Sequence, residues 1–268
     1  MTYKEMAAEL AAKESYSFDD LVSVVEVLRS EVGCPWDREQ DHHSIRDDLI
    51  EETYEVIEAI DTDNRELLRE ELGDVMLQVV FHARIEEEQG NFSIDEVAND
   101  ICAKLIHRHP HVFGEVKADT SAQVLSNWEK IKSEEKSRKT VTDKLRSIPP
   151  MLPALMRAAK VGKKASCFDF ESAEAVMDKL AEEMVEVSEA MAEQNADAVE
   201  EEIGDLLLTV TSLCRKLGVK PEDALNKATD KFICRFELIE NELISENKDI
   251  NSMSMSELDA IWDRIKHK

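Results

Sequence analysis

Two sets of acidic residues stand at repeated spacings that could hold a metal ion. The first is a Glu-Glu-x-x-Glu stretch at residues 51–55, followed sixteen residues after Glu55 by Glu71 and then by Asp74. The second set has the same pattern at residues 182–186, followed by Glu202 and Asp205. Residues three apart share one face of a helix, so each set predicts paired carboxylates. Because like charges repel at that distance, we expect a cation between them.

A short turn separates the two arms of each set. In the first half, Glu55 lies six residues before Asp61, and Asn64 lies seven residues before Glu71. At about 1.5 Å of rise per residue, both arms are about 10 Å long. Helices joined by a short turn usually pack antiparallel, which brings the four carboxylates level with one another. The second half has its turn near residues 194–195 and predicts the same arrangement.

The predicted ligands are all oxygen donors. They are Glu52, Glu55, Glu71 and Asp74 in the first half, and Glu183, Glu186, Glu202 and Asp205 in the second. Carboxylates without His or Cys favour a hard cation, Mg²⁺ or Mn²⁺, over zinc. A single Glu-x-x-Glu is more often a solvated helix face, but two copies at matching spacing favour a metal site. A di-iron carboxylate bundle is a weaker alternative, because it would need Glu-x-x-His pairs.

Basic and aromatic residues follow each acidic set in the same order. They are Lys104, Arg108 and Trp128 in the first half, and Lys231, Arg235 and Trp262 in the second. A Lys and an Arg four apart share a helix face and suit phosphate oxygens, and a tryptophan can stack on a base. With cations that lower the pKa of a bound water, these groups predict hydrolysis of a nucleotide polyphosphate. Taken singly, each could instead be a surface ion pair or a core tryptophan.

The elements that position these residues are predicted to be helices. Almost no segment alternates with period two, whereas apolar residues recur at helical spacing, as in residues 18–30. The halves form an internal repeat, so we predict an all-α chain of two tandem helical domains, residues 1–146 and 154–268. The linker between them is predicted at residues 147–153, where three prolines prevent a helix. Gly73 and Gly204, inside predicted helices, suggest the close approach of another helix or a ligand.

The composition limits the functional classes. A chain of 268 residues with 43% hydrophobic residues can form real cores. The net charge of −26 argues against binding to nucleic acid or to an anionic membrane. Five scattered cysteines without metal-ligand spacing predict free thiols in a reducing compartment. With no long apolar run and no signal-peptide pattern at the N-terminus, the prediction is a cytoplasmic protein.

The chain resembles the MazG-type nucleoside triphosphate pyrophosphohydrolases in their long, two-domain form. The resemblance covers nearly the whole chain and rests on Gly33-Cys34-Pro35-Trp36-Asp37, both acidic sets and Trp262. It implies two MazG-like helical bundles and Mg²⁺-dependent hydrolysis of (d)NTPs to the monophosphate and pyrophosphate, in house-cleaning or control of the nucleotide pool. It also implies a homodimer whose helices pack across the subunit interface.

The resemblance also assigns roles to individual residues. It implies that the C-terminal domain is the hydrolytic one and that the N-terminal acidic set is its counterpart. The implied metal ligands are Glu183, Glu186, Glu202 and Asp205, with Glu52, Glu55, Glu71 and Asp74 in the first half. The implied phosphate contacts are Lys179, Lys231 and Arg235, the implied base-stacking residue is Trp262, and the candidate catalytic residues are Glu182, Glu183, Lys231 and Arg235. Whether Glu182 or Glu51 acts as a base or only supports the ligands stays open.

Two departures from the family pattern concern substrate selectivity. Thr229 stands where family members commonly have Asn, and Cys167-Phe168-Asp169-Phe170 replaces a more usual Gly-Phe-Asp-Trp. One alternative function is a narrower pyrophosphohydrolase of the dUTPase-like or phosphoribosyl-ATP type, which uses a similar α-helical cage. Another is a nucleotide-binding regulator that has lost catalysis.

Overall fold

The computed structural model describes residues 1–135 and 140–266, apart from the side chains at positions 129, 133 and 134. The described residues form helices and connecting segments without a β-strand, which confirms the all-α prediction. The sequence also predicts a helix over residues 120–139, of which residues 136–139 lie outside the described residues. None of the described helices is both long enough and apolar enough to cross a membrane.

The first compact unit comprises Met1–Lys132. Its helices are α1 (Tyr3–Ala11), α2 (Phe18–Arg29), α3 (Pro35–Glu39), α4 (Arg46–Asp61), α5 (Arg65–Glu88), α6 (Ile94–Arg108), α7 (Pro110–Phe113) and α8 (Ser121–Glu135), the last of which runs past the end of the unit. Helices α4 and α5 pack together as a hairpin, and α2 packs on α5. The core is formed by Val25, Ile45, Val80, Phe81 and Ile85. This core fixes the hairpin that carries the first acidic set.

The second compact unit comprises the described residues from Ser133 onward. Its helices are α9 (Val141–Arg146), α10 (Ala154–Lys164), α11 (Ala173–Ala192), α12 (Ala196–Lys216), α13 (Pro221–Ser245) and α14 (Met255–Lys266), with 3₁₀ turns at Ser166–Phe168 and Ile250–Ser252. Helices α11 and α12 form the second hairpin, and α10 packs on α12 and α13. The core of Ile239, Leu243, Ile261 and Ile265 joins α13 to α14.

The turns of the two hairpins have the same backbone conformation and the same type of helix cap. Asp63 and Gln194 both have a positive φ, of 52° and 54°. The next residue in each case is an asparagine whose side-chain oxygen accepts hydrogen bonds from backbone N–H groups of the following helix. Such a cap satisfies N–H groups that have no partner within the helix. Asn64 and Asn195 therefore start α5 and α12 at equivalent places, which sets the two acidic pairs level.

The Pro-rich segment packs with the second unit. The division between the units falls between residues 132 and 133, before the linker predicted at residues 147–153. Lys164 of α10 donates to the carbonyl of Lys144 and to the hydroxyl of Ser147, both over 3.2 Å, and Ile148 is only 4% exposed. Prolines end a helix but do not stop the chain from packing on its neighbour. The domain limits given above, residues 1–146 and 154–268, stay a prediction.

Glycines and a tryptophan singled out by the sequence have different surroundings. A Cβ on Gly33 would lie 2.1 Å from the carbonyl oxygen of Val27, so only glycine fits this turn. Trp36, one residue before Asp37 at the end of the same motif, is 62% exposed rather than packed. Among the described residues nothing lies within 4 Å of a Cβ built on Gly73 or Gly204. A close helix within each unit therefore does not explain these two glycines.

A hydrogen-bonded chain of three side chains joins the loop before α4 to α5. The Nδ1 atoms of His42 and His82 lie 2.8 Å apart, and Nε2 of His42 lies 2.5 Å from Oε1 of Glu86. One Nδ1 must donate and the other must accept, so protonation of both rings breaks this contact. Burial, and then the neighbouring His42, lower the pKa of His82. Hydrogen bonds from Asn91 and His42 lower the pKa of Glu86.

Acidification is expected to weaken this unit. Because the pKa of His82 is lower in the folded state, the unfolded chain binds more protons near the ordinary histidine pKa of about 6.5. The stabilisation by His82 is therefore lost as the pH falls below about 6.5. The stabilisation by Glu86, a carboxylate whose pKa is lowered, is lost at lower pH. The urea concentration at the midpoint of unfolding should be lower at pH 5.5 than at pH 7.5. This difference should be smaller in His82→Gln. His43→Gln, at an exposed histidine outside the contact, is the control; equal pH dependence in wild type and His82→Gln would contradict the assignment.

Candidate metal and nucleotide site

The first acidic cluster lies across the α4–α5 hairpin. Glu52 and Glu55 of α4 and Glu71 of α5 each place a carboxylate oxygen within 4.8 Å of the others. Glu71 is buried at 7% exposure, and the other two are half-buried. Asp74, the fourth predicted ligand, stands outside this group of three but close enough to act on the charge of Glu52 and Glu71.

The second cluster repeats this arrangement on α11 and α12. Glu183 and Glu186 of α11 and Glu202 of α12 again bring carboxylate oxygens within 4.8 Å of one another. Glu183, the counterpart of Glu52, is the buried member at 4% exposure. Asp205 is exposed and stands outside the group of three. The structure thus brings together three of the four predicted ligands in each half.

Burial and mutual repulsion act on the same carboxylates. The pKa of Glu52 is raised by burial and then by Asp74 and Glu55. The pKa of Glu71 is raised by burial and then by Glu55. In the second half, burial raises the pKa of Glu202, with further contributions from Glu186, Asp205 and Glu183. Each cluster therefore holds negative charge at a cost that a cation would remove.

The donor geometry fits a small divalent cation. Oxygens bound about 2.1 Å from one octahedral ion lie about 3 to 4 Å from each other. The carboxylate oxygens of each cluster lie within 4.8 Å of one another, which is compatible with this geometry. The two clusters contain only carboxylate oxygens, which suit Mg²⁺, Mn²⁺ or Ca²⁺. None of the six residues is a histidine, so neither cluster has the Glu-x-x-His pairs of a di-iron bundle. The clusters can hold a metal ion, and the donor set favours a hard one.

Lys179 lies against the second cluster. Its Nζ is 2.8 Å from Glu182, 3.0 Å from Glu183 and 3.7 Å from Glu186, and its side chain is 32% exposed. Hydrogen bonds to Glu182 and Glu183 raise the pKa of the ammonium. The sequence assigned Lys179 to phosphate only through the resemblance and missed these contacts. The signal was present, because a Lys three and four residues before a Glu shares its helix face.

The other predicted phosphate and base contacts lie on α13 and α14. Lys231 is exposed, and the guanidinium of Arg235 lies 5.7 Å from the centre of the Trp262 ring. Phe232 packs against Trp262 with ring centres 5.2 Å apart. Among the described residues, neither Lys231 nor Arg235 forms an ion pair with the second cluster, so the three positive side chains are not gathered at one point. Trp262 is half-buried and is part of the α13–α14 packing.

The first half has the same arginine–tryptophan packing in a more closed form. The guanidinium of Arg108 lies 5.3 Å from the ring centre of Trp128, and the ammonium of Lys132 lies 4.3 Å from it. Arg108 is buried at 8% exposure, whereas its counterpart Arg235 is half-buried. The internal repeat thus extends from the acidic hairpins to this pair. The arginine is more accessible in the second half, whereas the lysines Lys104 and Lys231 are exposed in both halves.

The segment in which this chain departs from the family pattern is held by α12. Arg215 and Lys216 both bind the carboxylate of Asp169, with Nη1 of Arg215 at 2.7 Å and Nζ of Lys216 at 3.0 Å. The Arg215 contact is the main reason why the pKa of Asp169 lies well below its ordinary value. Phe168, beside it, is 95% exposed. Asp169 therefore ties this segment to the hairpin, while the aromatic side chain stays free of it.

The fold and the two clusters define a class of protein. They describe an all-α protein with a tandem repeat, whose acidic hairpins can hold metal ions and whose other helices carry basic and aromatic residues. Residues 40–113 and 157–238 match the MazG nucleotide pyrophosphohydrolase domain. These two ranges contain both acidic clusters, and the second also contains Lys231 and Arg235. Both tryptophans, Trp128 and Trp262, lie outside them.

Three relatives each match more than nine-tenths of the chain. The nucleoside triphosphate pyrophosphohydrolase/pyrophosphatase MazG of Thermotoga maritima is 44% identical over 251 residues, which is 93% of this chain and 95% of that protein. The nucleoside triphosphate pyrophosphohydrolase of Escherichia coli K12 is 40% identical over 257 residues, which is 93% of this chain and 97% of that protein. The uncharacterised protein YabN of Bacillus subtilis is 42% identical over 94% of this chain but only 52% of its own length. The chain belongs to the MazG family of nucleotide pyrophosphohydrolases, as the sequence predicted.

Proposed function

We propose that this protein hydrolyses nucleoside triphosphates, canonical or modified, to the monophosphate and pyrophosphate, with Mg²⁺ held by the second acidic cluster and Mn²⁺ as a possible substitute. The observation that carries the proposal is the convergence of Glu183, Glu186 and Glu202 within 4.8 Å in a chain of this family. The family is a family of hydrolases that act on phosphoric anhydrides. The role in the cell would be house-cleaning or control of the nucleotide pool.

Different residues of the chain are proposed to bind the metal, to activate the water and to contact the phosphates. When bound, divalent cations neutralise the triphosphate and lower the pKa of a water molecule. Glu183, buried at 4% exposure, serves as a ligand. Glu182, whose side chain is 60% exposed, lies beside it and is the candidate to accept the proton of the attacking water. Asp205 completes the ligand set from α12.

The positive side chains take up the charge of the phosphates. Lys179 is already at the cluster, and Lys231 and Arg235 approach from α13 when the substrate is bound. Charge-assisted hydrogen bonds from these groups to phosphate oxygens are stronger than neutral ones. Trp262 offers its ring to the base, with Arg235 packed over it. The first cluster, Glu52, Glu55, Glu71 and Asp74, is proposed as a second cation site with a lesser part in turnover.

A homodimer is part of the proposal. Large apolar side chains are exposed on the helices that carry the second site, among them Met184 (62%) and Val185 (55%) on α11 and Phe232 (55%) on α13. Gly204 on α12 adds a place where a second copy can approach closely. Large apolar side chains that are exposed in the isolated chain are often buried in an interface. Light scattering of the wild type should give twice the mass of the chain. Val185→Lys should lower the measured mass, whereas Val219→Lys, between α12 and α13, should leave it unchanged. A monomeric wild type would contradict the proposal.

The cytoplasm is the proposed location. All five cysteines, Cys34, Cys102, Cys167, Cys214 and Cys234, are free thiols, which is usual in a reducing compartment. Fractionation of the cells with an antibody to the protein tests this, and recovery outside the cytoplasmic fraction would contradict it.

A substrate panel separates the proposed function from its alternatives. Pyrophosphate release is measured for all common NTPs and dNTPs with Mg²⁺, and for phosphoribosyl-ATP. We expect several triphosphates to be hydrolysed, because the cation cluster and basic residues contact the phosphates that all of them share. A single accepted substrate would favour the dUTPase-like or phosphoribosyl-ATP type. Nucleotide binding without pyrophosphate release would favour the regulator, and iron in the purified protein would favour the di-iron bundle.

A further inference from the structure

Lys179 contacts carboxylates that are proposed to hold the cation. Its ammonium lies 3.0 Å from Glu183 and 3.7 Å from Glu186, which are two of the three residues that converge in the second cluster. A third contact, of 2.8 Å, goes to Glu182. An ammonium and a divalent cation repel each other strongly at such short distances. Lys179 and the cation therefore compete for the same oxygens.

The lysine side chain can leave without a change of the backbone. It is 32% exposed and lies on the surface of α11, one turn before Glu183. A lysine ammonium sits on a flexible four-carbon stem, so rotation of the side chain alone moves it by several ångströms. A triphosphate bound through the cation brings phosphate oxygens to the same place. These oxygens are alternative partners for the displaced ammonium.

The first cluster has a charge of the opposite sign at the matching position. Asp48 stands four residues before Glu52, as Lys179 stands four residues before Glu183. Across residues 1–135 and 140–266, no Lys or Arg forms an ion pair with Glu52, Glu55 or Glu71. A cation approaching the first cluster therefore has no ammonium to displace, and Asp48 adds attraction.

We propose that Lys179 couples cation binding to substrate binding in the second half of the chain. The ammonium leaves the carboxylates for the triphosphate as the cation enters, so cation and triphosphate bind cooperatively there. The first cluster, with Asp48 in the place of Lys179, takes its cation without a nucleotide. This inference rests on the proposed function, since it assumes that the triphosphate binds at the second cluster.

Binding of Mn²⁺ to the full chain, followed by the electron paramagnetic resonance signal of free Mn²⁺, tests the coupling. Glu52→Gln with Glu71→Gln disables the first cluster, so that the second is measured alone. In this background, Lys179→Met should tighten Mn²⁺ binding without nucleotide by about fivefold, the equivalent of one surface ion pair. A non-hydrolysable α,β-methylene triphosphate should tighten Mn²⁺ binding when Lys179 is present, and clearly less in Lys179→Met.

Controls exclude general effects of charge and folding. Lys220→Met removes an exposed lysine whose ion pair, with Asp223 at 3.2 Å, is outside the cluster, and it should leave Mn²⁺ binding unchanged. Lys179→Gln is the second variant if Lys179→Met loses helical circular dichroism. Conversely, with Glu183→Gln and Glu202→Gln disabling the second cluster, Asp48→Lys should weaken Mn²⁺ binding to the first by a similar factor.

The outcomes separate this inference from the proposed function. Unchanged or weaker Mn²⁺ binding in both Lys179 variants would overturn the coupling, as would Mn²⁺ binding that the triphosphate analogue leaves unchanged while Lys179 is present. If the unmodified protein still releases pyrophosphate, the proposed function stands. A lack of Mn²⁺ binding to every variant, with or without the analogue, would overturn both.

Discussion

Glu183→Gln is expected to reduce pyrophosphate release by about 10³-fold, because a ligand worth several kcal/mol of transition-state charge stabilisation is lost. Glu183 is the buried member of the second cluster, at 4% exposure, and its carboxylate meets those of Glu186 and Glu202 between α11 and α12. Glutamine keeps the volume of the side chain and removes its charge. The loss should therefore appear in kcat rather than in folding.

Glu52→Gln is expected to reduce the same activity by less than about tenfold. The physical reason is the difference between the basic residues of the two halves. In the first half, Arg108 is buried at 8% exposure and packed on Trp128, and Asp48 replaces the lysine found at position 179. The counterpart lysines Lys104 and Lys231 are exposed in both halves, so the difference lies in Arg235, which is half-buried, and in Lys179, which contacts the second cluster. Among the described residues, only the second half has a lysine in contact with its acidic cluster together with the more accessible arginine.

The comparison needs a carboxylate control and a test of folding. Glu193→Gln, at the exposed end of α11, should keep full activity. Helical circular dichroism and the unfolding midpoint, both measured without divalent ions, should be similar in all three variants. Equal loss in Glu183→Gln and Glu52→Gln would show that the wrong half has been assigned to catalysis.

Chelation is the second change with a large expected effect. Removal of divalent ions with EDTA should abolish pyrophosphate release, and addition of Mg²⁺ should restore it. Both clusters consist of carboxylates, which repel a triphosphate, and burial and mutual repulsion already raise the pKa values of Glu52, Glu71 and Glu202. Lys179 supplies one positive charge to the second cluster, which is far less than the triphosphate carries.

The same ions should stabilise the folded state. A ligand at ten times its Kd stabilises by about 1.4 kcal/mol, so Mg²⁺ should raise the unfolding midpoint of the wild type. In a variant with Glu52→Gln, Glu71→Gln, Glu183→Gln and Glu202→Gln, the midpoint should no longer respond to Mg²⁺. Full activity after exhaustive chelation, or an identical Mg²⁺ response in this variant, would refute the metal sites.

Several parts of the fold follow directly from residue spacing. The turns at residues 61–64 and 194–195 and the equal arms beside them predict two antiparallel hairpins, and α4–α5 and α11–α12 are found there. Local chemistry decides this, because an asparagine caps the second helix of each hairpin at the same point. The packing of the Pro-rich segment was not predictable in the same way. Its contacts with α10 join residues about twenty positions apart, and no local pattern encodes them.

The sequence by itself determined the all-α class, the internal repeat, the family and the eight acidic positions, since helical periodicity and matched spacing are properties of the chain alone. Tertiary structure decided which carboxylates meet: Glu71 and Glu183 are buried among their neighbours, whereas Asp74 and Asp205 stand outside the groups of three. It also decided that Lys179 lies on the ligands themselves and that Arg108 is buried while Arg235 is half-buried. The physical reason is that burial and ion pairing depend on what other helices bring to a side chain.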